Sequence, residues 1–287
     1  MTACRTGARS RPPMTQPYAD RKVTLCIPHW EVKELMQICL RSIRKHSQGY
    51  NLEVIVVDNG SKDDSLDWLR SLPWIRLIER PEEGFHNFPD NVFTSWDLGI
   101  REATGDYFMV MHSDVFVKSD RWLDPFFREF DKGDERTAGV GAWKLNLEHP
   151  LYTFQKKVGH VIRTRIKSLF GSKKVYRWRQ GDYPRDYCAM FRRRLILDHD
   201  ITFRAIHGQG GGYSTAKQIW DAGLNVRMIP VPEMYRNVVH IAHGTAAVAA
   251  RRPRTGSKHE DKAERRVHDL FSKPWVKALR DDATLDS

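Results

Sequence analysis

Short apolar runs alternate with stretches of helical periodicity along the first part of the chain, and that alternation sets the expected fold. Val23 to Ile27 reads as a strand closed by Pro28. From Glu31 to His46 the apolar residues Val32, Leu35, Met36, Cys39, Leu40 and Ile43 recur on one helix face. Leu52 to Val57 reads as a second strand, ending in Asp58-Asn-Gly-Ser61, with a helical segment from Asp63 to Leu72 behind it. The apolar run Tyr107 to Val117, bounded by Gly105 and Asp106, reads as a strand buried on both faces with His112, Ser113 and Asp114 at its tip. Strand, helix, strand, helix implies an α/β fold with a mostly parallel sheet and right-handed crossovers. Such sheets bind ligands outside the carboxyl ends of their strands. Pro28 to Glu31, Asp58 to Ser61 and His112 to Asp114 all fall at those ends.

The residues at these ends suggest chemistry. His112 and Asp114, two apart, would share one face of an extended segment, where an imidazole and a carboxylate can reach one cation. Asp58 can accept hydrogen bonds from an imide N–H or a sugar hydroxyl; Asp58-Asn-Gly-Ser61 also makes a turn and a helix start in any fold. Further on, Trp122 to Phe130 has the pattern of an amphipathic helix, Val140 to Leu145 of a strand, Thr215 to Ala222 of a helix and Gly223 to Pro230 of a final strand. Behind it His240 and His243 form an H-x-x-H pair that offers two imidazoles. Between Leu151 and Arg179 stand nine Lys/Arg and no acid, interleaved with Tyr152, Phe154, Phe170, Tyr176 and Trp178. Such a segment suits a nucleic acid, an anionic membrane surface or an acidic acceptor, and equally a solvated basic loop.

Composition narrows the choices. The chain has 287 residues and a formal net charge of +11, enough for a full core. Residues 1 to 150 hold 20 Lys/Arg against 23 Asp/Glu, and residues 151 to 287 hold 27 against 13, so the basic character belongs to the second half. That half suits an anionic partner. Cys4, Cys26, Cys39 and Cys188 make no close pair, which fits a reducing, cytoplasmic setting. No run reaches the roughly 18 apolar residues of a spanning helix, so integral membrane insertion is not expected. Residues 1 to 20 lack an apolar core and read as a disordered tail. No internal repeat is evident.

Ile27-Pro-His-Trp-Glu31, Val56-Val-Asp-Asn-Gly-Ser61, and Gly105-Asp-Tyr followed by a strand and Ser113-Asp114 together resemble family 2 glycosyltransferases of the GT-A fold, in order and spacing over residues 22 to 118. The resemblance implies that Pro28 and Glu31 line a nucleotide pocket and that Asp58 bonds the base or ribose. It places Asp97, where the family commonly has Asn, and Ser113 in the donor site. His112-Ser113-Asp114 stands for the family's D-x-D signature, with Asp114 as metal ligand, His112 as second ligand or ribose contact, and His243, beside Gly244, completing the set. An imidazole in place of a carboxylate moves the preference toward Mn²⁺ and away from Mg²⁺. The stretch Phe203 to Ser214 resembles the family's acceptor loop, where an acidic pair usually supplies the general base. Here Gln209 and Gly210 stand instead, and an amide takes no proton at neutral pH. Asp186, with Asp182, is the nearest replacement.

The domain reading that follows is a tail over 1–20, a GT-A domain over 21–245 (nucleotide-sugar half 21–118, acceptor half 119–245), and a basic linker with a helical extension over 246–287. The implied activity is inverting, metal-dependent transfer from a UDP-, GDP- or dTDP-linked sugar to a hydroxyl of a sugar or glycolipid, in bacterial-type polysaccharide or glycolipid synthesis. The protein would be cytoplasmic, with peripheral contact to an anionic membrane. The rival is a catalytically silent nucleotide-sugar or polyanion binder that keeps the fold and has lost the base; a nucleic-acid protein is a weaker third reading.

Overall fold

The computed structural model describes residues 17–145, 150–171, 183–206, 210–241, 244–249 and 258–287. In chain order the strands are β1 Lys22–His29, β2 Asn51–Asp58, β3 Arg76–Glu79, β4 Tyr107–Met111, β5 Val115–Val117, β6 Thr137–Ala142, β7 Cys188–Arg192, β8 Asn225–Ile229 and β9 Val238–His240. The helices are α1 Lys33–His46, α2 Ser65–Arg70, α3 Asp90–Glu102, α4 Asp124–Lys132, α5 Pro150–Leu169, α6 Arg193–Asp198, α7 Gly211–Asp221, α8 Val231–Asn237, α9 Gly244–Val248, α10 Lys258–Phe271 and α11 Pro274–Asp281. Seven strands form one sheet in the order β3-β2-β1-β4-β7-β6-β8. All its pairings are parallel except those of β7.

The expected α/β architecture is therefore present, with the strands near-continuously apolar because both faces are covered. One face packs Leu25, Ile27, Val54 and Val56 against Leu35, Met36 and Cys39 of α1 and Phe126, Phe127 and Phe130 of α4. The other packs Cys26, Ile55 and Val110 against Phe93, Trp96 and Ile100 of α3 and Ile219 of α7. A Cβ at Gly99 would stand 2.4 Å from Cys26 Sγ, so this glycine lets α3 lie close on β1. The C-terminal helices join the first face through Val267, Leu270, Val276 and Leu279. Arg41 of α1 grips Asp286 with two hydrogen bonds of 2.7 Å, which seats the end of the chain on α1.

Three local expectations change. Pro28 does not close the first strand, which runs on to His29. His29 carbonyl accepts from Asn59 N–H on the β2 side, so the missing N–H of Pro28 faces β4, where pairing has already ended at Cys26. Second, the run Tyr107 to Val117 is two strands. β4 ends at Met111, His112 to Asp114 turn, and β5 pairs antiparallel with β9 in a separate two-stranded sheet. His112 and Asp114 are thus brought together by a turn closed by Val115 N–H to His112 carbonyl at 3.2 Å, not by an extended face. Third, α1 begins at Lys33, because Glu31 adopts a left-handed backbone (φ 47°) that a helix cannot contain.

Candidate active site

β2, β1 and β4 are neighbours with a common direction, so their carboxyl ends deliver His29, Asp58 and His112 to one edge of the sheet. β7 runs the opposite way beside β4 and begins at that edge: His112 N–H donates to Tyr187 carbonyl at 3.0 Å. β6 ends there too, with Arg185 N–H donating to Ala142 carbonyl at 3.0 Å. Pro28, Glu31, Asp58, Ser113, Asp114, His112 and Asp186 all lie along this edge.

The end of β1 and β2 is a closed polar cluster. Asp58, 1% exposed, accepts from Gly60 N–H at 3.1 Å, from Ser61 N–H at 3.0 Å and from the Ser61 hydroxyl. Ser61 Oγ accepts from Glu31 N–H at 3.0 Å, and Glu31 Oε1 accepts from Lys62 N–H at 3.1 Å. Gly60, at φ 78°, allows the turn, and a Cβ there would meet Glu83 carbonyl at 2.3 Å. Beneath lies His29, whose Nε2 pairs with Ser65 Oγ at 2.8 Å; burial pushes its pKa down to about 4 against the opposing pull of Asp58 and Asp63. Arg80 ties the neighbouring loop in, donating to Asn59 Oδ1 at 2.9 Å and Thr94 Oγ1 at 3.0 Å and pairing with Glu83.

The end of β4 is built differently. Asp114, 3% exposed, uses Oδ2 to accept from Gly244 N–H at 3.0 Å and Thr245 N–H at 3.4 Å. Its Oδ1 is buried and takes no hydrogen bond; His240 Nε2 stands at 3.5 Å and His112 Nδ1 at 3.9 Å. His112 Nε2 is likewise buried without a partner. His112, Asp114 and His240 each offer a ligand atom, all within 4.8 Å of one another. β9 makes this possible, since its pairing with β5 sets Val115 opposite His240. Both imidazoles lie flat on aromatic rings: His112 on Trp96 (centroids 5.5 Å, 15°) and His240 on Tyr187 (4.6 Å, 10°). A Cβ at Gly244 would stand 3.0 Å from Asp114 Cβ, so a glycine there lets the backbone come close to the carboxylate. Ser113 Oγ pairs with Thr245 Oγ1 at 3.2 Å.

Burial pushes the Asp114 carboxyl up, but the imidazoles of His240 and His112 and the Thr245 N–H outweigh it and hold it below the ordinary carboxylate range. Burial lowers the His112 pKa, against the pull of Asp186 and Asp114. A buried carboxylate oxygen without a hydrogen bond, with a nitrogen of His240 at 3.5 Å and one of His112 at 3.9 Å, fits a divalent cation of the first transition row.

Of the remaining expected residues, Asp186 stands at the start of β7 within electrostatic reach of His112. It lies against the first turn of α7, where a Cβ on Gly212 would be 3.2 Å from Asp186 nitrogen and 3.5 Å from its carboxyl carbon. Asp97 is not gathered with the others: its carboxylate accepts from Phe203 N–H at 2.8 Å and from the Thr202 hydroxyl, tying α3 to the loop after α6. His243, Gln209 and Asp182 lie outside the described residues; Gly210 caps α7. The H-x-x-H spacing offers His240 beside His243, the one the resemblance favours; Trp96, Tyr187 and Thr245, which border the cluster, are not singled out by the sequence. Only His240 had a signal, the H-x-x-H spacing; the others are set by long-range packing.

Residues 24–199 match the family model described as Glycosyl transferase family 2, more than half of the chain. The chain belongs to that family. Among curated relatives of this family 2 member is the "Putative glycosyltransferase EpsH" of Bacillus subtilis (strain 168), 22% identical over 190 residues, which make up 63% of this chain and 50% of that protein. The chain thus spans about half the length of that relative. Among solved structures, the mannosyltransferase PcManGT from Pyrobaculum calidifontis, in complex with GDP-Man and Mn²⁺, superposes with a TM-score of 0.53 at 16% identity, over 94% of this chain and 76% of that one. S. aureus TarS 1-349 gives 0.50 at 14% identity, over 91% and 75%. These likenesses establish the GT-A fold for the family 2 chain.

Proposed function

We propose that this family 2 member transfers a sugar from a nucleotide-sugar donor to a hydroxyl acceptor, with inversion and with a divalent metal. The observation that carries the reading is the His112–Asp114–His240 cluster, with its unpartnered Asp114 Oδ1, at the end of β4. On this reading the nucleoside lies along the ends of β1 and β2. Glu31 and Asp58 hold the loop that shapes its pocket, and the remaining acceptor site on Asp58 Oδ1 is left for a base N–H or ribose hydroxyl. Pro28 lines the floor and Ser113 the donor side. His112, Asp114 and His240 would hold the cation, Mn²⁺ in preference to Mg²⁺ because two of the three ligands are imidazoles, and when bound it would supply positive charge to the leaving diphosphate. The mannosyltransferase with GDP-Man and Mn²⁺ supports this preference.

Asp186 is the proposed general base. Its carboxylate takes the proton of the acceptor hydroxyl as the oxygen attacks the anomeric carbon opposite the leaving group, and attack from that side inverts the centre. The acceptor is a sugar or glycolipid, in synthesis of a bacterial-type polysaccharide or glycolipid, presented at an anionic membrane surface.

A thermal-shift screen of UDP-, GDP- and dTDP-sugars with Mn²⁺ or Mg²⁺ tests the donor half without an acceptor. One nucleotide is expected to stabilise the fold with Mn²⁺, by about 2.7 kcal/mol at a hundredfold excess over its Kd. No shift with any nucleotide would contradict it. Donor binding without turnover on any acceptor would select the silent-binder reading.

A further inference from the structure

Six large apolar side chains are exposed among the described residues, and four of them crowd the end of one helix: Ile162 (54%), Ile166 (52%), Leu169 (82%) and Phe170 (85%), the last just past the end of α5. Residues 162, 166 and 169 follow the i, i+4, i+7 spacing, so they form one stripe along α5. Arg163, Arg165 and Lys167, all exposed, alternate with them. In the sequence no acid occurs from Leu151 to Arg179, against nine Lys/Arg. No described helix, this one included, is long and apolar enough to cross a membrane.

We infer that α5 docks the protein on an anionic phospholipid surface, lying in the plane of the interface. An apolar stripe enters the acyl boundary while flanking arginines and lysines reach the phosphates, their stems covering the edge of the stripe. Charge decides between occupants. A second copy would bring an equally basic, acid-free segment against this one, whereas anionic headgroups neutralise it. The stripe is mainly aliphatic, and aliphatic side chains give bases no stacking platform, so a nucleic acid is the poorer match.

The position of the helix gives the docking a use. The chain leaves the sheet after Ala142 and re-enters it with β7 at Cys188, and Arg185 N–H bonds Ala142 carbonyl, so both feet stand at the edge that carries Asp186 and His112. An α5 held on a bilayer keeps that edge at the surface where a lipid-linked hydroxyl would be met. The docking deepens the proposed sugar transfer and rests on it only for this use; the binding is testable without donor, metal or acceptor.

The experiment is vesicle flotation of the full chain, with phosphatidylcholine alone and with phosphatidylglycerol mixed in. The native protein is expected to float with the anionic vesicles, to stay behind with the neutral ones, and to be released by salt. The double variant Ile166→Glu/Leu169→Glu is expected to lose at least about tenfold in partitioning, with the melting temperature unchanged because both residues are exposed. Arg163→Gln/Lys167→Gln is expected to weaken binding to anionic vesicles and to leave the stripe intact. Absence of flotation at low salt, equal binding to neutral vesicles, or binding untouched by both variants would overturn the inference. So would a concentration-dependent dimer in lipid-free solution that Ile166→Glu/Leu169→Glu abolishes, since the stripe would then cover another copy.

Discussion

The turns after β2 and β4 each present a buried aspartate at the same edge of the sheet, and they use it in opposite ways. Asp58 accepts three hydrogen bonds from Gly60 and Ser61 and closes its own loop. Asp114 gives Oδ2 to a distant backbone at Gly244 and Thr245 and leaves Oδ1 buried and unpartnered between two imidazoles. A protein leaves such an oxygen unsatisfied only at a cost of about 1–3 kcal/mol, a cost that a bound cation removes. One carboxylate therefore spends most of its acceptor capacity on the loop; the other keeps a whole oxygen for a cation.

The largest effect that separates them is expected from Asp114→Asn. The amide oxygen still accepts from Gly244, so the urea midpoint should hold, while Mn²⁺-dependent transfer falls by on the order of 10³-fold. A collapse of stability with activity per folded molecule intact would invert the assignment. Asp58→Ala should do the reverse to the fold, lowering the unfolding free energy by about 3 kcal/mol as charge-assisted bonds are lost; equilibrium denaturation measures it.

His29 sharpens the contrast through pH. It is neutral when folded, with a pKa near 4, and titrates near 6.5 when unfolded. The stability of the neutral state is complete above pH 6.5 and is lost as pH falls from 6.5 to 4, by at most about 3 kcal/mol. His29→Gln should flatten that part of the stability–pH curve, and an unchanged slope would remove His29 as its source. The smallest effect is expected at Asp97→Asn: a loss of about 1 kcal/mol, from weaker bonds to Thr202 and Phe203, with nucleotide affinity unaltered in a titration. A fall in that affinity would return Asp97 to the donor site.

The parallel sheet was legible because its strands are apolar on both faces and its helices keep one apolar stripe, both patterns local to a segment. The three strand ends were legible for the same reason. His112 and Asp114 were read as an adjacent pair, but on the wrong backbone: two residues apart fits a strand face, and only pairing with β9, 123 residues beyond Val115 at Val238, makes the segment turn. That same pairing brings His240 to the cluster, while His243, the other member of the H-x-x-H pair, lies outside the described residues. Asp97 bonds Thr202 and Phe203, an arrangement not legible locally, because a carboxylate in a helix next to the donor loop looks alike whether it faces a ligand or a backbone N–H. Trp96 and Tyr187 carried no signal at all, since any buried aromatic residue has their pattern.

The central claim, a cation site at His112, Asp114 and His240, is tested most directly by electron paramagnetic resonance titration of Mn²⁺ into the native protein and into Asp114→Asn, each saturated with the nucleoside diphosphate that stabilises it. The expected result is one bound Mn²⁺ per native chain and none in the variant. Equal Mn²⁺ binding by the two, or none by either, would contradict it.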